Sequence, residues 1–156
     1  MKVSSHASAP GGFEETCLET LRSRGFSLTR PRRAIVSLLG RTRQLLTARE
    51  LEERLAMEGE PVDRASVFRT LAVLMRQGLV HHSARLGGYV GCQLPHSSLA
   101  GHAASHHLLV CNTCRGVVEV DIPGLLKAAV GRGLEFEPDE HAVEVPGTCR
   151  RCRGRG

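Results

Sequence analysis

The chain has 156 residues, 21 Lys and Arg against 16 Asp and Glu, and a formal net charge of +5 at pH 7. With no Trp, one Tyr and four Phe, its core must be aliphatic, and its length allows one medium domain or two small ones. The modest cationic excess is as typical of an ordinary basic surface as of a nucleic-acid partner. No stretch approaches the roughly 18 apolar residues of a membrane span. Residues 1–12 lack the apolar run of a signal peptide, so a disordered arm and a cytoplasmic protein are expected.

Four helices are predicted in the first part of the chain, from apolar residues at helical spacing with capping residues before them and glycines after them. The clearest start is the capping box Thr47-Ala-Arg-Glu50, in which the Thr and Glu side chains each accept a hydrogen bond from a backbone N–H. The helices are expected over residues 13–24, from Thr29-Arg-Pro31 onward, from Thr47 to about Gly59, and over residues 64–77 after the cap Asp63.

A β-hairpin is predicted next, with strands over residues 79–82 and 89–93 around a turn at Gly87-Gly88. Helices followed by a two-stranded hairpin are typical of a winged helix-turn-helix, whose fourth helix here would enter the major groove of DNA. That helix has its apolar residues on one face and its arginines on the other. This pattern is equally typical of a core helix with a solvated surface. The arginines concerned are Arg64, Arg69 and Arg76.

The composition changes near residue 92: five of the six cysteines, counting Cys92, and most of the histidines occur from there on. A polar linker is predicted first, and then a small α+β unit. Strands are expected over residues 107–111, 116–122 and 141–145, with a helix from Pro123 to about Gly131. The predicted fold class is therefore α+β, a winged helix-turn-helix followed by a small α+β domain.

Two C-x-x-C pairs are the strongest motif of the chain: Cys111-Asn-Thr-Cys114 and Cys149-Arg-Arg-Cys152. Each spacing lets two thiolates bind one ion from a tight turn, and four thiolates complete a tetrahedral zinc site without an open position. In a reducing cytoplasm, such pairs indicate metal binding more than disulfides. They predict a structural zinc ion.

A second metal site is one interpretation of the remaining histidines and Cys92, since His81 and Cys92 stand on opposite arms of the predicted hairpin. The alternative is that these residues belong to the core and the surface. Cysteine with histidine is a ligand set that suits zinc better than iron.

Five segments, in consistent order between about residues 13 and 152, resemble the Fur family of bacterial metalloregulators. They are Leu28-Thr-Arg-Pro-Arg32, Thr47-Ala-Arg-Glu-Leu51, Ala65-Ser-Val-Phe-Arg-Thr-Leu71, His106-His-Leu-Leu-Val-Cys-Asn-Thr-Cys114 and Gly147-Thr-Cys-Arg-Arg-Cys152. The resemblance implies a homodimer that binds palindromic operator DNA when loaded with metal. It implies a winged-helix domain over residues 13–93, a hinge over 94–105 and a dimerisation and metal-binding domain over 106–156.

Within the family, the chain is most similar to the zinc uptake regulators. That similarity implies a zinc-responsive repressor with one structural and one regulatory zinc ion per chain, and without enzymatic activity or a small-molecule substrate. The implied regulatory ligands are His81, Cys92, His106 and Glu119, with His102 as a substitute for His106. A third site would include His107 and His141, although its other ligands are not matched.

The resemblance also implies DNA contacts. Phe68 stands where the family usually has Tyr, and it keeps an apolar contact such as that with a thymine methyl group. Arg69 is expected to bind base edges, and Arg32 and Arg76 to bind phosphates, with Arg64 beside them. Arg115-Gly116 replaces the usual glycine directly after the first cysteine pair.

Three other functions stay open. The sensed metal could be iron, nickel or manganese. A hydrolytic zinc enzyme would need an open metal position and a base, with Glu119 or Glu144 as candidates. A zinc-stapled redox sensor would use Cys17 or Cys92 as its reactive thiol, although Cys17 lies on an apolar helix face that predicts burial.

Overall fold

The computed structural model describes residues 2–3, 12–93, 106–122 and 143–154. The chain divides into two compact units, Ser8–Cys92 and Gln93–Gly156 together with Met1–Ala7. The predicted hinge and the predicted helix from Pro123 lie outside the described residues. In chain order the elements are β1 (Lys2–Val3), α1 (Gly12–Ser23), α2 (Arg30–Arg41), α3 (Ala48–Met57), α4 (Arg64–Arg76), β2 (Val80–Ser83), β3 (Gly88–Gly91), β4 (His106–Cys111), β5 (Val117–Asp121), β6 (Glu144–Gly147) and α5 (Arg150–Arg153).

Local capping sets the helix starts in the unit Ser8–Cys92, and all four predicted helices are confirmed. The Thr29, Thr47 and Asp63 side chains each accept a hydrogen bond from a backbone N–H in the first turn of α2, α3 and α4. At α3 the capping box is complete, because the backbone N–H of Thr47 donates to Glu50 Oε2 over 2.7 Å. Such caps typically contribute about 1 kcal/mol each.

An aliphatic core joins the four helices and the hairpin. Leu21, Leu39 and Leu74, from α1, α2 and α4, each have an exposed fraction of 0%. Cys17 is equally buried in this core, as its apolar helix face predicts. Gly91 lies so close to Phe13 that a Cβ atom there would stand 2.6 Å from the ring. A larger residue at this strand position would therefore require the Phe13 ring to shift.

The hairpin is confirmed, but its turn is not centred on Gly87-Gly88 as predicted. Strands β2 and β3 are antiparallel, with Ser83 opposite Gly88, and residues 84–87 form the turn. Gly88 belongs to the strand, and Gly87 alone takes the left-handed conformation, with φ 63°. The Ser83 hydroxyl accepts a hydrogen bond from Leu86 N, which stabilises this four-residue turn.

The other unit contains a four-stranded sheet in the order β1-β5-β4-β6. Strands β4 and β5 are antiparallel, and β6 pairs with β4 in parallel. Strand β6 begins three residues later than the predicted strand over residues 141–145. The reason is its register, which places Gly147 opposite Cys111 and so brings the two cysteine pairs together.

Lys2–Val3 departs from the disordered arm predicted over residues 1–12. It pairs with Val120 and Asp121 at the edge of β5, because an open strand edge offers N–H and C=O groups that another strand can satisfy. Among the described residues, no helix combines the length and the apolar content needed to cross a membrane.

Candidate metal centres and DNA-facing helix

The four cysteines of the two C-x-x-C pairs come together in the unit Gln93–Gly156. Cys111 ends β4, and Cys149 directly precedes α5. The parallel pairing of β4 with β6 continues in a hydrogen bond of 2.8 Å from Asn112 N to Gly147 O. The chain leaving β6 therefore delivers the second pair beside the first.

The sulfur geometry matches a tetrahedral zinc site. All four Sγ atoms lie within 4.8 Å of one another, and those of Cys114 and Cys149 are 3.8 Å apart. Zinc–sulfur bonds of about 2.3 Å at tetrahedral angles require sulfur–sulfur distances of roughly 3.8 Å. The cluster could therefore hold zinc through four protein ligands, which leaves no open position for a substrate.

Backbone hydrogen bonds favour the thiolate form of two of these cysteines, which is the form that binds a cation. The backbone N–H of Cys149 donates to Cys111 Sγ over 3.3 Å, and this bond, with one from Cys114 N–H, lowers the pKa of Cys111 to about 5. The pKa of Cys114 is lowered chiefly by the backbone N–H of Gly116. The pKa of Cys152 is raised to about 12, chiefly by its hydrogen bond with Cys149. Without a metal the crowded sulfurs retain a proton, which a divalent cation would replace.

The turn after the first pair explains the unusual Arg115-Gly116 sequence. Arg115 adopts the left-handed conformation, with φ 57°, and its N–H donates to Cys111 O over 2.9 Å. At Gly116 a Cβ atom would stand 3.2 Å from Cys114 Sγ. Gly116 therefore stands at the position that approaches the sulfur most closely, and Arg115 stands at the position with the left-handed backbone.

Arg151, which the sequence analysis did not single out, lies inside the second C-x-x-C pair. The pKa of its guanidinium is raised above its ordinary value, chiefly by Cys114. Its place inside the second C-x-x-C pair was the available indication of this interaction, since residues between metal ligands commonly contact the neighbouring sulfurs.

The second candidate site begins on the hairpin. His81 lies opposite Val90, and Cys92 follows two residues later and donates its N–H to Leu79 O. Alternate residues of a strand share a face, so the two side chains project from the same side. A ring nitrogen of His81 and Cys92 Sγ lie within 4.8 Å of each other.

The other predicted regulatory ligands lie in the second unit. Glu119, on β5, is 2% exposed. Both of its carboxylate oxygens accept a hydrogen bond from the backbone N–H of Gln93, over 2.9 and 3.1 Å. His102 and the side chain of His106 lie outside the described residues.

The predicted third site includes His107, which is 1% exposed on β4. Its Nδ1 accepts a hydrogen bond of 3.1 Å from Val143 N, so the ring proton is on Nε2, which donates to Ile122 O over 3.2 Å. Metal binding at His107 would have to break one of these bonds. His141 lies outside the described residues.

The predicted DNA-facing helix, α4, buries one face and exposes the other. Val67, Leu71 and Leu74 are buried, whereas Phe68 is 49% exposed. Met75, 40% exposed, is a second large apolar side chain on this surface, and both are available for contact with a partner. The exposed cations on this helix are Arg64, Arg69 and Arg76.

Two of these arginines make surface contacts in the free protein. Arg64 pairs with Glu52 at 3.0 Å, and both side chains are substantially exposed. Arg69 donates to Ser66 Oγ over 2.8 Å. Exposed pairs of this kind are worth between zero and about 1 kcal/mol, so both arginines could exchange these partners for DNA.

Arg32 differs because it is half-buried. It donates to Ser27 O and lies over the Phe26 ring, 5.9 Å from its centroid. Arg32 therefore stabilises the segment between α1 and α2.

Comparisons with known proteins agree with this architecture. The model of the ferric uptake regulator family matches residues 23–145. The zinc uptake regulation protein of Mycobacterium tuberculosis is 31% identical over 134 residues, which cover 83% of this chain and 96% of that protein. The ferric uptake regulation protein of Brucella abortus is 29% identical over 129 residues, which cover 81% and 87%.

A solved structure shares the fold. A zinc uptake regulator complexed with zinc and DNA aligns with a TM-score of 0.78 at 20% identity, over 96% of this chain and 98% of that chain. Together with the match of the family model over most of the sequence, this shows that the chain belongs to the ferric uptake regulator family of metal-responsive transcription regulators.

Proposed function

We propose that the protein is a zinc-responsive repressor that binds palindromic operator DNA in the cytoplasm as a zinc-loaded dimer. The observation that carries this proposal is the pairing of Cys92 with His81 on one face of the hairpin. A thiolate beside an imidazole favours zinc over harder ions such as Mn²⁺ and Fe²⁺. This argument is needed because the zinc and ferric uptake relatives have almost equal identity to the chain.

The proposed regulatory ligands are His81, Cys92, Glu119 and His106, with His102 as the substitute for His106. The hydrogen bond from Gln93 to Glu119 supports the inclusion of the carboxylate, since Gln93 directly follows Cys92 in the chain. Zinc with ligands in both units would favour one arrangement of them. It can shift that equilibrium only by its difference in affinity for the alternatives.

The proposed structural zinc is bound by the four cysteines of the two C-x-x-C pairs and stays bound whether or not the regulatory site is filled. This gives one structural and one regulatory zinc ion per chain. The match of the sulfur–sulfur distance to tetrahedral zinc coordination supports this assignment.

The proposed DNA contacts are centred on α4. Arg69 binds base edges, Phe68 contacts a thymine methyl group, and Arg76 binds phosphates, with Arg64 beside them. The exposure of all four side chains supports these roles. Arg32 contributes a phosphate contact while it stabilises its own segment.

Zinc-dependent operator binding tests the proposal. Full-length protein and its Cys92→Ala variant are titrated with zinc while binding to operator DNA is measured, with Cys17→Ala as the matched control because it removes an equally buried thiol from the same unit. We expect Cys92→Ala to lose the zinc dependence and Cys17→Ala to keep it. If both variants respond to zinc as the wild type does, Cys92 is not a regulatory ligand.

A regulator of another metal is the second candidate, favoured by the similarity to the Brucella abortus ferric uptake regulation protein. The same titration with Fe²⁺, Mn²⁺ and Ni²⁺ distinguishes the two. Operator binding that responds to one of these ions and not to zinc would overturn the choice of metal while leaving the family unchanged.

Two further alternatives are disfavoured by the sites themselves. Burial raises the pKa of Cys17 to about 12, with a smaller contribution from Glu14, so Cys17 lacks the thiolate character of a reactive cysteine. A redox function would then depend on Cys92 and would appear as an oxidised Cys92 in mass spectra after peroxide treatment. Hydrolysis at the four-cysteine cluster would lack an open zinc position.

A further inference from the structure

We infer that Met75 is a further specificity-determining residue of α4, which contacts a second thymine methyl group of the operator about three base pairs from the one that Phe68 contacts. The inference rests on the proposed binding of operator DNA by α4. It goes beyond that proposal by adding a base contact from the second half of the helix.

The exposed face of α4 includes two large apolar side chains, Phe68 and Met75. Single exposed apolar residues are ordinary on a protein surface. These two, however, are seven residues apart, so they lie in one row along the helix and are separated by two turns. Among the described residues of the unit Ser8–Cys92, one other large apolar side chain is exposed, that of Met57 on α3. Exposed apolar surface in this unit is therefore concentrated on the proposed DNA-facing helix.

The residues around this apolar row fit a DNA groove. Arg69 and Arg76 each directly follow one of its two members, so a row of arginines with the same spacing runs beside it. Ala65 and Ala72, both exposed, lie between the two rows, and their small side chains let the helix approach the base edges closely. Helix α4 contains no Asp or Glu. Its charge is therefore complementary to the phosphates on both sides of a groove.

The spacing of the apolar row matches the stacking of base pairs. With a rise of about 1.5 Å per residue, seven residues separate Phe68 and Met75 by about 10.5 Å along the helix axis. Base pairs of B-DNA are about 3.4 Å apart, so the two side chains reach bases about three pairs apart. The thymine methyl is the apolar group that the major groove offers. The flexible thioether side chain of Met75 can adapt its shape to such a contact.

The experiment compares thymine with uracil, which lacks only the 5-methyl group. Zinc-loaded full-length protein first selects its operator from a random library of DNA duplexes. Each thymine of one half-site is then replaced by uracil in turn, and Kd is measured for every duplex. We expect two thymines, about three base pairs apart, at which uracil weakens binding about fourfold, the effect of one buried methyl group.

Variants assign each of these thymines to a side chain. Met75→Ala should bind the thymine and uracil duplexes equally at one position and keep the discrimination at the other, whereas Phe68→Ala should do the reverse. Met75→Leu keeps an apolar side chain and should retain part of the discrimination. Met57→Ala is the matched control, because it removes an exposed methionine from α3 of the same unit, and it should discriminate at both positions as the wild type does.

The uracil profile separates base contact from a structural role. A substitution that only disturbed the fold would weaken binding to every duplex by the same factor and leave the profile unchanged. Such a result for Met75→Ala would overturn the inference. A wild-type profile with a single sensitive thymine in the half-site would overturn it too, as would loss of discrimination by Met75→Ala and Phe68→Ala at the same thymine.

Failure of the proposed function has a different result. If the zinc-loaded wild type enriches no sequence from the library, operator binding itself fails, and the role of Met75 fails with it. If the wild type selects an operator and Phe68→Ala loses discrimination at one thymine, but Met75→Ala keeps the wild-type profile, only the role of Met75 fails.

Discussion

The two units of this chain are stabilised in different ways. The unit Ser8–Cys92 has a continuous aliphatic core and capped helices. In the described part of the other unit, two of the buried side chains are the polar His107 and Glu119, and four cysteines form a cluster. Hydrophobic patterning therefore specifies the first unit, whereas the described part of the second combines buried apolar residues with buried polar groups and a cluster that could hold a metal.

The stabilising energy is distributed differently in the two units. Each fully buried Leu of the first unit contributes about 1.5–3 kcal/mol relative to exposure, so its stability is spread over many residues. A structural zinc ion contributes about 10–16 kcal/mol at one place. The first unit should therefore tolerate the loss of one contact better than the second tolerates the loss of one ligand.

The largest expected effect is the loss of a cysteine ligand. We expect Cys111→Ala to unfold the unit Gln93–Gly156 while α1–α4 stay folded, because metal binding there contributes folding energy. The check is the NMR spectrum together with zinc content. The matched Cys17→Ala variant should keep its zinc, and a fully folded Cys111→Ala protein would show that the cluster does not hold the second unit together.

A core substitution tests the other side of the comparison. Leu39 is fully buried on α2, and we expect Leu39→Ala to reduce the free energy of unfolding of the first unit by about 2–5 kcal/mol while zinc content is unchanged. Denaturant unfolding followed by circular dichroism measures this. Met57, 82% exposed on α3, provides the control, since Met57→Ala should change stability by no more than about 0.5 kcal/mol. Similar losses for both variants would contradict the description of the core.

Removal of the capping box should have a smaller effect. Thr47→Ala removes the side-chain acceptor for Glu50 N at the start of α3, at an expected cost of about 1 kcal/mol. The same unfolding measurement applies. Thr16→Ala, at an exposed position of α1, should show no such loss, and an unchanged Thr47→Ala protein would mean that α3 does not depend on its cap.

The smallest expected effect lies in the turn of the metal centre. Arg115→Gly should stabilise the zinc-loaded second unit by up to about 1 kcal/mol, because it removes the cost of a non-glycine residue in the left-handed conformation. The greater entropy of glycine in the unfolded chain offsets part of that gain. Thermal unfolding of the zinc form measures it. Gly116→Ala should act in the opposite direction, since its Cβ would crowd Cys114 Sγ. A destabilised Arg115→Gly protein would show that the arginine side chain matters more than its backbone strain.

The features that sequence predicted well depend on neighbours along the chain. A cap such as Asp63 acts on a backbone group three residues away, at Ser66, so its effect is visible in a short stretch of sequence. The position of the hairpin turn differs from the prediction, because the turn includes the hydrogen bond from Leu86 N to Ser83 Oγ and leaves Gly88 in the strand. The late start of β6 could not be predicted, because its register depends on pairing with the distant strand β4.

The amino-acid sequence by itself determined the capped helices, the cysteine spacing and the family, since each of these follows from local patterns. The tertiary structure decided which groups meet. It placed Cys114 and Cys149, 35 residues apart, at 3.8 Å, and left Phe68 exposed on α4. Such contacts arise from sheet register and packing between distant segments, which no short stretch of sequence encodes.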